Sequence, residues 1–270
     1  MDTDEIMDFS LRLAGLNRIP EDSAIYNNGN NIKKILFGLD ANATELLLAH
    51  QLGFDAVISH HPAGGTAIID HYQVFKRHIG QMISAGIPEH VARKAVERKL
   101  GQLEADSHTR NYNHAVDVAK LLKMPYMNIH TPLDEVGRKI MQEQIDQNTN
   151  EKSKVKEVIS TLNKLPEFRK AATKIKLRVG KLDNPIGKII VSHGAGTNGG
   201  YDVAKTYFEH GVNTLIYIHV GFPDLERLMN DDMGNLIITG HIASDSVGIN
   251  PFIRELEKQG VSIKTLGVVR

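Results

Sequence analysis

The chain has 270 residues, with 32 Lys+Arg against 32 Asp+Glu, so its formal net charge is zero with neutral histidines. That balance leaves no basic excess for a phosphate backbone, and the absence of cysteine excludes disulfides, thiolate metal sites and Cys nucleophiles. Hydrophobic residues at 41% and charged residues at 24% describe an ordinary globular chain, and 13 histidines are the one unusual count.

The acidic opening MDTDEIMDFS lacks the cationic start of a secretory signal, and no apolar run approaches the roughly 18 residues of a membrane span. A soluble, cytoplasmic protein is expected. Ile6, Phe9, Leu13 and Leu16 recur at helical spacing and predict a first helix that stops within residues 17–20. Residues 21–31 read as polar turn. IKKILFGLD then reads as a strand, TELLLAHQLG as a helix stopped by Gly53, and DAVISHHP as a strand ended by Pro62. Strand, helix and strand with short joints imply a parallel pair joined by a right-handed crossover. Residues 70–104 and 112–123 read as mostly helical, and YMNIHTPLDEV as a short strand running into a helix.

Residues 142–174 are polar, but Val155, Val158, Ile159, Leu162 and Leu165 form a helical stripe that predicts a surface helix. The alternation then resumes through GKIIVSH, YDVAKTYFEHG, NTLIYIHVG, PDLERLMND and NLIITGH, followed by a helix around 247–259. SIKTLGVV closes the chain as an edge or central strand. QLGFDAVISHHP and EHGVNTLIYIHV align on Gly53 and Gly211, which sets His61 and His219 at matching places. The expected fold is α/β, with two lobes of mostly parallel sheet flanked by helices and a metal site at the carboxyl ends of the strands. Residues 1–140 would form the first lobe and 141–236 a central helix and second lobe. Residues 237–270 would return to complete the site.

Three groups carry candidate chemistry. His60-His61-Pro62 ends a strand; adjacent side chains on a regular strand face opposite ways, so both rings can serve one site only where the strand stops. Read alone, such a pair is more often a polar loop with one ring half buried and hydrogen-bonded. His241 and Asp245 are spaced i, i+4 and would share a face in a helical turn, although Ser244 or Asp245 could instead cap amides. His130-Thr131-Pro132-Leu133-Asp134 reads as a capped helix start in which the dipole alone accounts for the acid. Each group follows an apolar strand, so a βα chain can gather them at one sheet edge. His60, His61, Asp134, His241 and Asp245 exceed the roughly three protein ligands of a catalytic zinc and suit zinc, iron, manganese, cobalt or nickel. Two ions about 3.5–4 Å apart are the economical reading.

LFGLDANATELLLAHQLGFDAVISHHP, IHTPLD and ITGHIASD resemble the NGG-one-interacting-factor-three family, often catalogued as type 2 homologues of GTP cyclohydrolase I. The likeness runs over roughly 32–62, 112–137 and 188–256. It implies a two-lobed α/β fold, a dinuclear centre of two divalent ions per chain and a homo-oligomer, frequently a ring-shaped hexamer. Residue by residue it implies His60, His61, Asp134, His241 and Asp245 as ligands. The family usually has Glu at the place of Asp245, whose shorter reach requires a closer helix for a bridging role. His130 and His219 are expected behind the ligands or beside the bound water.

Gly194-Ala195-Gly196-Thr197-Asn198-Gly199-Gly200 satisfies G-x-G-x-x-G, but His219-Val220-Gly221 stands where a dinucleotide site needs an acid. A tight strand-to-helix turn is the simpler account. The amides of Gly194, Gly196 and Gly199 also offer an anion site lined by His193 and His219. The expected function is a metal-dependent hydrolase acting on a small molecule, possible classes being a nucleotide, a phosphoester or a cyclohydrolase-type ring. The alternative is a non-catalytic metal carrier or partner regulator. No nucleic-acid or membrane partner is expected.

Overall fold

A computed structural model describes residues 1–270. Helix α1 (Thr3–Ala14) opens on a reciprocal capping pair of Asp2 and Glu5 and closes at Gly15, whose φ is 70°. It buries Ile6, Met7, Ser10, Leu11 and Ala14, a face rotated from the predicted stripe. Phe9 is only half-buried and stacks on Phe252 at 5.8 Å. Strand β1 (Ala24–Asn27) lies in the segment read as turn. Then come β2 (Lys34–Gly38), α2 (Ala43–Gln51) and β3 (Ala56–Ser59), the expected parallel crossover unit. Five helices follow: α3 (Gly65–Ile69), α4 (His71–Val74), α5 (Arg77–Ser84), α6 (Glu89–Ser107) and α7 (His114–Leu121).

Strand β4 (Tyr126–Asn128) leads directly into α8 (Thr131–Asp146). Helices α9 (Val155–Leu162) and α10 (Pro166–Lys170) precede β5 (Lys176–Val179). The alternation of β6 (Ile189–Val191), α11 (Gly200–Glu209), β7 (Thr214–Tyr217), α12 (Phe222–Asp231) and β8 (Asn235–Ile238) follows the sequence reading. The chain ends in α13 (His241–Lys258) and β9 (Ser262–Leu266).

The chain forms two compact units. The first comprises Met1–Val74, Leu103–Val136 and Gly248–Val268. Its sheet has the order β1-β4-β3-β2-β9, with β1 antiparallel at one edge and β9 parallel at the other. Leu36, Leu46, Phe54, Val57 and Tyr126 pack in its core. The second unit comprises Phe75–Gln102, Gly137–Val247 and Val269–Arg270. Its sheet has the order β5-β8-β7-β6 with β5 antiparallel, which repeats β1-β4-β3-β2 strand for strand. Even the bulges match: β1 slips against β4 between Ile25 and Asn27, and β5 slips against β8 between Leu177 and Val179. The echo between His61 and His219 is therefore topological.

Two expectations are corrected. The stripe in the polar centre is core, not surface: Val155, Val158 and Leu162 are fully buried against Phe168, Ile186 and Ile216. Each such side chain contributes about 1.5–3 kcal/mol, while the charged residues of the segment cover the outer face. The last helix starts at His241 rather than near 247, because Gly240, at φ 100°, turns the chain straight out of β8. No helix is long and apolar enough to cross a membrane.

Candidate metal centre

In the first unit, residues just past the carboxyl ends of β3 and β4 gather four ligand-bearing side chains, with Asp40 past β2 beside them. Strand β3 ends at Ser59, whose hydroxyl donates to the His61 carbonyl at 2.9 Å, and the chain turns there. The rings of His60 and His61 consequently lie 5.0 Å apart, and each lies near that of His130, at 5.0 and 5.5 Å. One nitrogen from each of the three lies within 4.8 Å of the others. Asp134, in the first turn of α8, turns its carboxylate to them: Oδ1 is 3.2 Å from His60 Nε2 and Oδ2 is 3.6 Å from His130 Nε2. The acid at the helix start thus faces imidazoles, which the capping account alone did not require.

Each imidazole is oriented from behind. His60 Nδ1 lies 3.0 Å from the Ile129 carbonyl, His61 Nδ1 lies 2.7 Å from Asp40 Oδ1, and His130 Nδ1 lies 2.8 Å from Asp22 Oδ2. All three partners are acceptors, so Nδ1 carries the proton and Nε2 the lone pair. At His60 that lone pair faces a carboxylate oxygen, an acceptor against an acceptor, and a cation satisfies both. The residues fit a metal of the zinc, iron, manganese, cobalt or nickel kind.

Asp22 was not singled out in the sequence. It is fully buried and takes four donors: His130 Nδ1, the Thr131 hydroxyl at 2.7 Å, the Thr131 amide at 3.4 Å and the Ser23 hydroxyl at 3.3 Å. Burial by itself raises its pKa, but His130, by charge and hydrogen bond, together with His71 and Thr131, outweighs burial and holds the carboxyl below its usual value. Asp40 and His71 were missed too; His71 stacks on His130 at 5.8 Å. A signal existed for Asp40 alone, an acid just past the apolar strand in FGLD.

The second unit holds its own group past β6, β7 and β8. Asp245, on the second turn of α13, is buried; its Oδ2 lies 3.2 Å from His241 Nε2 and its Oδ1 3.9 Å from His193 Nε2. Because the helix begins at His241, Asp245 stands beyond the amides that a cap serves. The rings of His219 and His241 are 4.7 Å apart. Burial and His241 push His219 down to about 4 against the pull of Asp245, so it is neutral at pH 7. In the glycine-rich loop, Arg77 Nε donates to the Gly194 carbonyl, Gln81 Nε2 to that of His193, and His78 Nε2 to that of Thr197. Gly194, Gly196 and Gly200 all have positive φ, which fits the tight turn between β6 and α11.

Fold and site together define a class: two α/β units of mostly parallel sheet, carrying histidine–carboxylate groups with the donor chemistry to hold a metal. The chain belongs to the Duf34/NIF3 (NGG1p interacting factor 3) family, whose sequence model matches residues 24–268. A NIF3 superfamily protein from Sphaerobacter thermophilus is 46% identical and superposes with a TM-score of 0.97 over 99% of this chain and 98% of its own. Reduced HcgD from Methanocaldococcus jannaschii, at 14% identity, has a TM-score of 0.62 over 98% of each chain. The hypothetical protein SA1388 from Staphylococcus aureus, at 12% identity, has a TM-score of 0.55 over 98% and 96%. These last two likenesses concern the fold alone. No curated protein matches the sequence.

Proposed function

We propose that the protein binds up to two divalent metal ions per chain and acts as a metal-dependent hydrolase on a nucleotide, phosphoester or cyclohydrolase-type substrate. His60, His61, His130 and Asp134 would hold one ion, and His241 and Asp245 would supply ligands of the other. The observation that carries this reading is convergence: one nitrogen from each of three imidazoles lies within 4.8 Å of the others, the Asp134 carboxylate faces them, and each ring is held through Nδ1 by an oxygen acceptor. A bound divalent ion supplies Lewis acidity and a water acidified toward neutral pH. The chain's own residues orient the ligands: Asp22, Asp40 and the Ile129 carbonyl fix the tautomers, and Asn128 ties the His60 carbonyl to that of Asp22 through its Nδ2. His130, read from sequence as lying behind a ligand, is proposed here as a ligand itself.

The test is reconstitution of tag-free protein with zinc, manganese, iron or cobalt, followed by a hydrolysis screen over nucleotides, phosphomonoesters and cyclic amidines. Turnover that requires metal and disappears in His60→Ala supports the reading; metal bound without any turnover rejects the hydrolase part of it. A second reading, a metal carrier, is favoured by the 47% exposure of the His241 side chain, since a ligand open to solvent suits ion exchange. Rapid loss of metal to a chelator together with no turnover would select it. A homo-hexamer is the assembly expected from the resemblance, and light scattering reads it.

A further inference from the structure

Asn198, in the glycine-rich loop, joins three groups of the second unit. Its Oδ1 accepts from the Gly200 amide at 3.0 Å and from Lys99 Nζ at 3.4 Å, while its Nδ2 lies 3.1 Å from His219 Nδ1. The amide cannot be reversed, because an NH2 turned toward Gly200 and Lys99 would oppose two donors. Nδ2 therefore donates and His219 Nδ1 accepts, which leaves the ring proton on Nε2. Gly200 makes room for this arrangement. At φ 69°, a Cβ there would meet Asp224 Oδ2 at 2.8 Å and Lys99 Nζ at 2.9 Å. Lys99 is in turn steered by Asp224, 3.7 Å away. The His219 side chain is half-buried beside His241, and no group of the protein accepts from its Nε2.

We propose that His219 is a ligand-binding residue: held as the Nε2–H tautomer by Asn198, it donates a hydrogen bond to an oxygen of a phosphoryl or carboxyl oxyanion bound beside His241 and Asp245. Asn198, in the glycine-rich loop, and Lys99, on α6, are positioning residues. The anion's attraction to this place rests on the metal reading above, since a cation there offsets the Asp245 charge; the tautomer does not rest on it.

The experiment uses zinc-loaded full-length protein, a two-bond proton–nitrogen correlation spectrum of the histidines, and titration with inorganic phosphate and, separately, acetate. Wild type should show His219 as Nε2–H. Asn198→Asp, which can only accept, should convert it to Nδ1–H and weaken anion binding about tenfold, the loss of one good hydrogen bond. His219→Phe should weaken binding as much, and His219→Gln, which restores an N–H donor, should recover most of it. Loss for phosphate alone identifies a phosphoryl ligand, and loss for both anions a general oxyanion site; each supports the proposal. An Nδ1–H tautomer in wild type overturns it, as does unchanged anion binding in His219→Phe or no binding of either anion by zinc-loaded wild type. Zinc content measured on every sample separates the two ideas: absent zinc defeats the metal reading, while the tautomer spectrum still decides this one.

Discussion

Asp22→Asn is the sharpest perturbation of the first cluster, because it changes no proposed ligand. Four donors converge on the Asp22 carboxylate. An asparagine must turn its NH2 toward two of them, whichever way the amide is set. If it faces His130 and Thr131, the His130 Nδ1 proton loses its acceptor and the ring loses its orientation toward Asp134. If it faces Ser23 and the Thr131 amide, the turn that starts α8 is strained instead, and the charge that supports the imidazole is gone either way. Changes of this kind behind a ligand typically weaken metal affinity about 10–100-fold, or about 1.4–2.7 kcal/mol. The assay is competition for zinc with a chelator of known affinity, with circular dichroism to verify folding. Zinc affinity unchanged in a folded Asp22→Asn protein would refute the orientation argument.

Three further outcomes are expected. Burial pushes His78 down to about 4 against the pull of its hydrogen bond to Thr197. Its folded value lies below the unfolded one of about 6.5, so its contribution is full above that pH and falls by about 3 kcal/mol as pH drops to 4. His78→Gln, which keeps a donor but cannot titrate, should flatten the acid side of the stability profile by that amount in urea titrations; an unaltered slope would contradict the reasoning. Leu162→Ala should cost about 2–5 kcal/mol because the side chain is fully buried, against less than about 0.5 for a surface helix, as read by thermal and urea unfolding. Asp245→Asn should lose the second zinc equivalent while Asp245→Glu keeps it; an Asn variant that binds like its parent would remove Asp245 from the ligands.

Much of the fold was legible because each βα unit pairs a short apolar run with a helix and a Gly or Pro stop, as in TELLLAHQLG followed by DAVISHHP. The two strands that escaped, β1 and β5, are four-residue antiparallel edges. AIYN shows no burial alternation, and KLRV alternates for only four residues with both of its charges exposed, so neither run is long enough to stand out. The start of α13 was hidden because Gly240-His241-Ile242-Ala243-Ser244-Asp245 has no apolar stripe; the left-handed glycine sets the turn, not a hydrophobic pattern. The candidate ligands were legible as polar residues just past apolar strands. Their supports were not: Asp22 reaches His130 across 108 positions, a distance at which only the packed sheet supplies the connection. The stripe of the polar centre was legible as a helix, but the charges around it suggested a surface position, whereas it faces the core of the second unit.

The central claim is that the three imidazoles and Asp134 hold a divalent ion. The most direct measurement is elemental analysis of tag-free protein after reconstitution with zinc and removal of free metal, comparing wild type with His60→Ala and His130→Ala. The account predicts between one and two equivalents per chain in wild type, with a clear loss in both variants. Less than about a tenth of an equivalent in folded wild type, or full occupancy in both variants, would contradict it.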